Sequence, residues 1–255
     1  MLREKKTAAM YNDLATHVWL GQNTWSFVSV APNQNIYDVQ VVAREFADSG
    51  RDSHPERLTE TLPNLDMLGD WVDDWAPAFK ALLRKADRGF FKWRVTEAPR
   101  IQSALSKSGK VILIGDAYHG IDPSAGFGTA LSLEDGFTLA LLIDHCPEYK
   151  QLPTYLSIFD KIVKQRSGKI AGYSRFMGVL LGLPDGTMQM RRDKEMSRFD
   201  PNKATDVKGN VKAKFGTPQW QAWMDDWDPV VVVEEAVKRY EEEVRLAPGD
   251  VVSKI

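Results

Sequence analysis

The stretch from Lys110 to Ile143 constrains the fold of this chain more than any other. Val111-Ile112-Leu113-Ile114 is continuously apolar. That is the pattern of a parallel strand buried on both faces, since a half-exposed strand alternates. The run ends in Gly115-Asp116 and passes into a loop with Pro123, Gly126 and Gly128. Thr129 to Ile143 then reads as an apolar helix. The order of strand, acidic turn, glycine-rich loop and helix is that of an α/β unit. It delivers Asp116 to the carboxyl edge of a sheet, where α/β folds bind ligands. Gly126 and Gly128 let backbone approach a flat ligand where a Cβ would clash. The helix turns its N-terminal amides and positive dipole end toward the same place, which suits a group that gains negative charge.

The flanking sequence organises around this unit. Val18-Trp19-Leu20, Trp25 to Val30 and Ile36 to Ala43 predict strands. In the last, Tyr37, Val39 and Val41 alternate with Asp38 and Gln40, which gives one buried face. Residues 44–65 are polar and predict a loop with a short helix near His54-Pro55-Glu56. Leu68, Trp71, Trp75, Phe79 and Leu82-Leu83 predict an amphipathic helical region interrupted by Pro77. Phe90 to Val95 is a further strand. A long helix is predicted from Thr154 to Leu183, ended by Pro184-Asp185-Gly186. Residues 191–218 are charged and predict irregular structure. Trp220, Trp223 and Trp227 lie near helical spacing, Glu234 to Arg245 predicts a helix, and the last ten residues a loose end. The division expected is a β-sheet substrate region with helices over 1–100, the carboxyl half of a cofactor domain over 101–183, and a helical tail over 184–255.

Composition excludes several classes. The net charge of −2 offers no basic face for nucleic acid. Cys146 is the sole cysteine, so no intrachain disulfide forms and a cytoplasmic or other reducing intracellular compartment is expected. No stretch approaches the ~20 apolar residues that cross a bilayer. The four histidines are not paired in metal-ligand spacing, and no metal site is expected.

Gly115-Asp116-Ala117-Tyr118-His119, Pro123, Gly126-Phe127-Gly128-Thr129-Ala130 and Glu134-Asp135 resemble, without a gap, the second FAD fingerprint of the flavoprotein aromatic hydroxylases. These are the single-component FAD monooxygenases that include salicylate hydroxylase and its fungal relatives. The family pattern is Gly-Asp-Ala-Ala-His, a Pro, Gly-Gln-Gly-Ala-Asn and Glu-Asp. Phe127 stands for the usual Gln and Ala130 for the frequent Asn. Lys92-Trp93, Tyr155 through Arg166 to Ser174, Leu183 to Gly186, and Trp220 to Asp228 resemble further family segments, so the likeness covers most of the chain. Ser29-Val30 stand where the family usually carries Tyr-Pro.

The resemblance implies a partial FAD-binding α/β fold with a β-sheet substrate region and a helical C-terminal tail. It implies that Asp116 binds the ribityl or pyrophosphate region of FAD and that Pro123 lies beside the isoalloxazine. Gly126, Phe127, Gly128, Thr129 and Ala130 would give backbone hydrogen bonds to its pyrimidine edge. The implied activity is hydroxylation of a small aromatic or polycyclic substrate, with NAD(P)H as transient reductant and O2 as oxidant. No catalytic base is assigned. The chain carries no Gly-x-Gly-x-x-Gly, so the resemblance implies a further N-terminal FAD-binding segment or partner chain, with weak or no FAD binding by these residues alone. The alternatives are a non-redox binding remnant and one half of a split flavoenzyme.

Other residues have plainer readings. His119, His17 and Trp25 are expected to pack in the core, and Cys146 beside His145 is a weak candidate thiol. The bases from Lys161 to Arg175 are expected on a solvated helix face.

Overall fold

The computed structural model describes residues 10–31, 33, 36–44, 50, 52, 54–64, 72–87, 89–198 and 207–246. The chain divides into two compact units, one of residues 1–95 with 178–201 and one of 96–177 with 202–255.

In the first unit, β1 (His17–Gly21), β2 (Thr24–Ala31) and β3 (Ile36–Ala43) form an antiparallel sheet in chain order. Asn23 makes the β1–β2 turn with φ +53°, a conformation that asparagine tolerates better than most residues. The alternation read in Ile36–Ala43 holds. Tyr37, Val39 and Val41 pack with Val28 and Trp19 on one face, against Trp75, Phe79 and Leu82. Trp75 and Trp19 lie 4.5 and 5.3 Å from the Phe79 ring. Phe79 and Leu82 come from α1 (Pro77–Leu83). Pro77 therefore does not interrupt this helix but begins it, at the position where a missing N–H costs nothing. The predicted contributions of Leu68 and Trp71 lie outside the described residues.

The polar segment before α1 differs from expectation. His54-Pro55-Glu56 is a turn, closed by Arg57 N–H to the His54 carbonyl at 3.1 Å, not a helix. Thr59–Leu62 forms β4, paired antiparallel with β5 (Phe90–Trp93). Charge holds this ribbon where hydrophobic patterning does not. The Lys92 ammonium lies 2.6 Å from Asp52 and 3.0 Å from Glu60, and its hydrogen bond holds Asp52 below the usual carboxylate range. β4 has no apolar alternation to reveal it.

The second unit holds α2 (Asp116–His119), α3 (Gly128–Asp144), most of α4 (Leu152–Leu181), α6 (Pro218–Asp225) and α7 (Pro229–Leu246). Leu142 of α3 packs with Tyr155, Phe159 and Val163 of α4 and Val233 and Val237 of α7. A second cluster joins Leu131, Ile170, Tyr173, Trp220 and Met224. Thr217 caps α6 by accepting the Trp220 N–H at 3.3 Å. Asp228 does the same for Val230 at 2.8 Å, so α7 starts at Pro229, ahead of the Glu234 expected from its charges.

Two further expectations are corrected. Val111–Ile114 is not a strand buried on both faces. Its only ladder contact among the described residues is an isolated antiparallel bridge from Ile112 to Leu105. Ile112 and Leu113 face the core, while Val111 and Ile114 are 58% and 41% exposed. A continuously apolar strand is stable only with neighbours on both edges and cover on both faces, and here neither is present among the described residues. The charged stretch after residue 186 is helical over α5 (Thr187–Met196), in the first unit. Arg192 explains it. Its guanidinium is buried and donates to the carbonyls of Leu180 and Leu181 at 2.9 and 3.0 Å. It thereby satisfies the last turn of α4, which would otherwise end in open acceptors. The expected loose end of the chain lies almost wholly outside the described residues.

Candidate functional site

The loop between Gly115 and α3 is built from the inside outward. Gly115 has φ +58°, and its N–H donates to Asp135 Oδ2 at 2.8 Å. The same oxygen lies 2.7 Å from His119 Nε2. Both side chains are buried, so one carboxylate of α3 pins the turn and the short helix α2 together. Burial alone would lower the His119 pKa, but the hydrogen bond and charge of Asp135, with a smaller contribution from Asp116, raise it above the ordinary 6.5. A raised native pKa stabilises the fold fully below the unfolded pKa and ceases to do so as pH rises through the native one. The melting temperature is therefore expected to fall as pH rises above about 6.5, and Asp135→Asn to flatten that fall. Thermal melts across this range check it; equal slopes in both proteins would refute it.

Farther along, Asp122 caps the 3-10 turn Pro123–Ala125 by accepting the Ser124 N–H at 2.8 Å. Ser174 of α4 ties the loop down by accepting the Ala125 N–H at 3.0 Å and donating to the Asp122 carbonyl. Gly126 follows in the left-handed region, φ +67°. Phe127 occupies the N-cap of α3 with no side-chain cap. The N–H groups of Phe127, Gly128, Thr129 and Ala130 meet no acceptor among the described residues. A Cβ built on Gly126 or Gly128 would meet nothing within 4 Å, so the space beside these two α-carbons is open.

Behind the loop lies Arg166, whose side chain is 4% exposed. Its Nε and Nη2 reach Glu134 Oε2 and Oε1 at 2.9 and 2.8 Å, a bidentate pair. Nη2 also donates to the Met224 carbonyl at 2.8 Å. The rings of Phe127, Trp223 and Trp227 lie 5.5, 4.7 and 5.0 Å from the guanidinium carbon.

A family model described as FAD binding domain matches residues 1–146, more than half of the chain. The chain belongs to this FAD binding domain family. Among curated proteins, a FAD-dependent monooxygenase, OpS4, of Beauveria bassiana is 25% identical over 186 residues, 73% of this chain and 42% of that protein. Hispidin-3-hydroxylase of Neonothopanus nambi is 30% identical over 101 residues, 40% of this chain and 23% of that protein. Among solved structures, a salicylate hydroxylase substrate complex superposes with TM-score 0.67 at 20% identity, covering 93% of this chain and 54% of that one. CtdE in complex with FAD and a substrate superposes with TM-score 0.66 at 17% identity, over 96% of this chain and 54% of that one. The fold is thus a partial α/β fold of the FAD-dependent hydroxylases, and the chain spans about half the length of these relatives or less.

Within the family fold, the residues singled out from sequence fall on one continuous loop. Asp116 is the first residue of α2, and its exposed carboxylate accepts no side-chain hydrogen bond among the described residues. Pro123 is exposed at the start of the 3-10 turn. Gly126 and Phe127 form the turn into α3, and Gly128, Thr129 and Ala130 its first turn. Cys146 donates its thiol to the Glu148 carbonyl at 3.3 Å and packs against the Leu142 cluster. Trp25 packs in the core as expected, 1% exposed. His17 is partly exposed beside Asp13 at 3.4 Å.

Sequence reading missed the roles of Asp135, Glu134 and Arg166. Arg166 is a correction, because it does not sit on a solvated face. Its signal was present: Phe159, Val163, Ile170 and Tyr173, all buried, mark the apolar stripe of α4, and Arg166 falls on that stripe.

Proposed function

We propose that this chain forms the carboxyl half of the FAD site of a monooxygenase that hydroxylates a small aromatic or polycyclic substrate, with NAD(P)H as reductant and O2 as oxidant. The observation that carries this is the row of amides from Phe127 to Ala130 without an acceptor among the described residues, next to two glycines whose Cβ positions are open. Unpaired N–H groups at the start of a helix suit an electron-rich ring edge that gains negative charge. In this reading those amides bind the flavin pyrimidine edge and Pro123 packs beside the ring system. Asp116 accepts hydrogen bonds from the ribityl chain or its neighbouring hydroxyls. Residues 1–100 supply a substrate-binding sheet region, 101–183 this half of the cofactor domain, and 184–255 the tail. When bound, FAD supplies the redox chemistry, and the protein supplies position and electrostatics.

FAD titration of the 255-residue chain, followed by flavin fluorescence, is expected to show weak but saturable binding. A Cβ at Gly128 would meet nothing within 4 Å, and Gly128→Leu improves helix propensity by roughly 0.5–1 kcal/mol, so its melting temperature is expected not to fall. Its side chain occupies the approach of the ring, so FAD binding is expected to be lost. Unchanged binding in Gly128→Leu would remove this loop from the site. Substrate-stimulated NAD(P)H oxidation then tests catalysis.

A further inference from the structure

Phe127 poses a problem for the loop it belongs to. It sits at the N-cap of α3 without a side-chain oxygen to close the turn, where Ser, Thr, Asp or Asn would ordinarily do so. The turn must be held from elsewhere. Phe127, Leu131 and Glu134 fall at helical spacing on one side of α3, and Arg166 meets that side at two heights. It holds Glu134 with two hydrogen bonds and lies 5.5 Å from the Phe127 ring. On its other side it is bound to α6 by the Met224 carbonyl and by Trp223, with Trp227 just beyond the helix end. Its Nη1 is buried without a hydrogen-bond partner among the described residues, and three rings surround the guanidinium carbon. A guanidinium can meet a carboxylate with two hydrogen bonds and aromatic faces at once, which a lysine ammonium does not reproduce.

We infer that Arg166 is a positioning residue for the flavin loop, locking Phe127 and the amides after it onto the C-terminal tryptophans, so that Trp223 and Trp227 belong functionally to the cofactor site. The inference rests on the FAD reading of that loop. It assigns Arg166, Trp223 and Trp227 a role in holding the loop rather than in the ligand contact itself. Phe127 is the part of the loop that the arginine can grip.

The test uses the 255-residue chain and three variants, Arg166→Lys, Trp227→Leu and Leu142→Ala, with hydrogen exchange of segment 123–131 and FAD titration measured on each. Leu142 is fully buried in the other cluster of this unit, so Leu142→Ala controls for general loss of stability. Arg166→Lys is expected to speed exchange in the loop and weaken FAD binding by about tenfold or more, the scale of one charge-assisted hydrogen bond. Trp227→Leu, which leaves the ion pair intact, is expected to act in the same direction and keeps the test informative if Arg166→Lys does not fold. Leu142→Ala is expected to lower the melting temperature yet leave loop exchange and FAD affinity within about twofold of wild type, since distant sites act independently. Unchanged loop exchange in the Arg166 and Trp227 variants would overturn the clamp. Faster loop exchange with unchanged FAD affinity would overturn its role at the flavin. Absence of FAD binding by the wild-type chain would overturn a working FAD site in these 255 residues alone, and with it the positioning role there, while the loop exchange separately reports whether the clamp exists.

Discussion

Trp220→Ala is expected to destabilise the second unit by about 3–5 kcal/mol, the range for deleting a buried large aromatic. Trp220 is fully buried and packs against Phe215, Trp223 and Tyr173 at centroid distances of 4.6, 4.8 and 5.7 Å. The cavity left behind borders Leu131 of α3 and Ile170 of α4, so two long helices lose a shared contact surface. Against a typical domain stability of about 5–15 kcal/mol, such a loss consumes a large share. Urea denaturation followed by far-UV circular dichroism reads it directly. A change below about 1 kcal/mol would show that the tryptophan cluster is peripheral to the fold.

Glu134→Ala is expected to cost a similar amount, about 3–5 kcal/mol, for a different reason. It removes little apolar contact. It leaves the Arg166 cation buried, with the Met224 carbonyl its one remaining hydrogen-bond acceptor among the described residues. Removing both charges should be less harmful than removing one, because the uncompensated ion is the source of the cost. The double variant Glu134→Leu with Arg166→Met is therefore expected to be more stable than Glu134→Ala alone. Equilibrium denaturation of the three proteins decides this. A double variant less stable than Glu134→Ala would mean that the arginine contributes through its contacts with Phe127 and the tryptophans more than its charge costs.

These two residues show how far the amino-acid sequence could be read. Trp220 was legible, because its spacing with Trp223 suggested a helix and a residue of that size seldom stays in water. The glycine-rich loop was legible too: Gly115, Asp116, Pro123, Gly126 and Gly128 are local punctuation, and turns, caps and helix starts depend on neighbours in the chain. The three strands between His17 and Ala43 followed from their β-branched and aromatic residues and from the alternation in 36–43. Where local patterns weaken, reading failed. β4 has no alternating apolar face, and Lys92 with its two acids holds the ribbon. α5 carries mostly charged and polar residues, and its place depends on Arg192 reaching back to the end of α4. The apolar run at 111–114 promised a buried strand, but a strand exists only through partners, and the described residues offer a single bridge.

The site divides along the same line. Local sequence placed the glycine-rich turn and the helix after it, and the first N–H groups of any helix lack intrahelical acceptors. It did not settle what holds them. Asp135 reaching Gly115 and His119, and Arg166 joining Glu134, Phe127 and the C-terminal tryptophans, are meetings of residues far apart in the chain. Patterns of period 2 or 3.6 report which face of an element is buried. They carry no information on which charged group from another element will be buried beside it, and that pairing is set by packing.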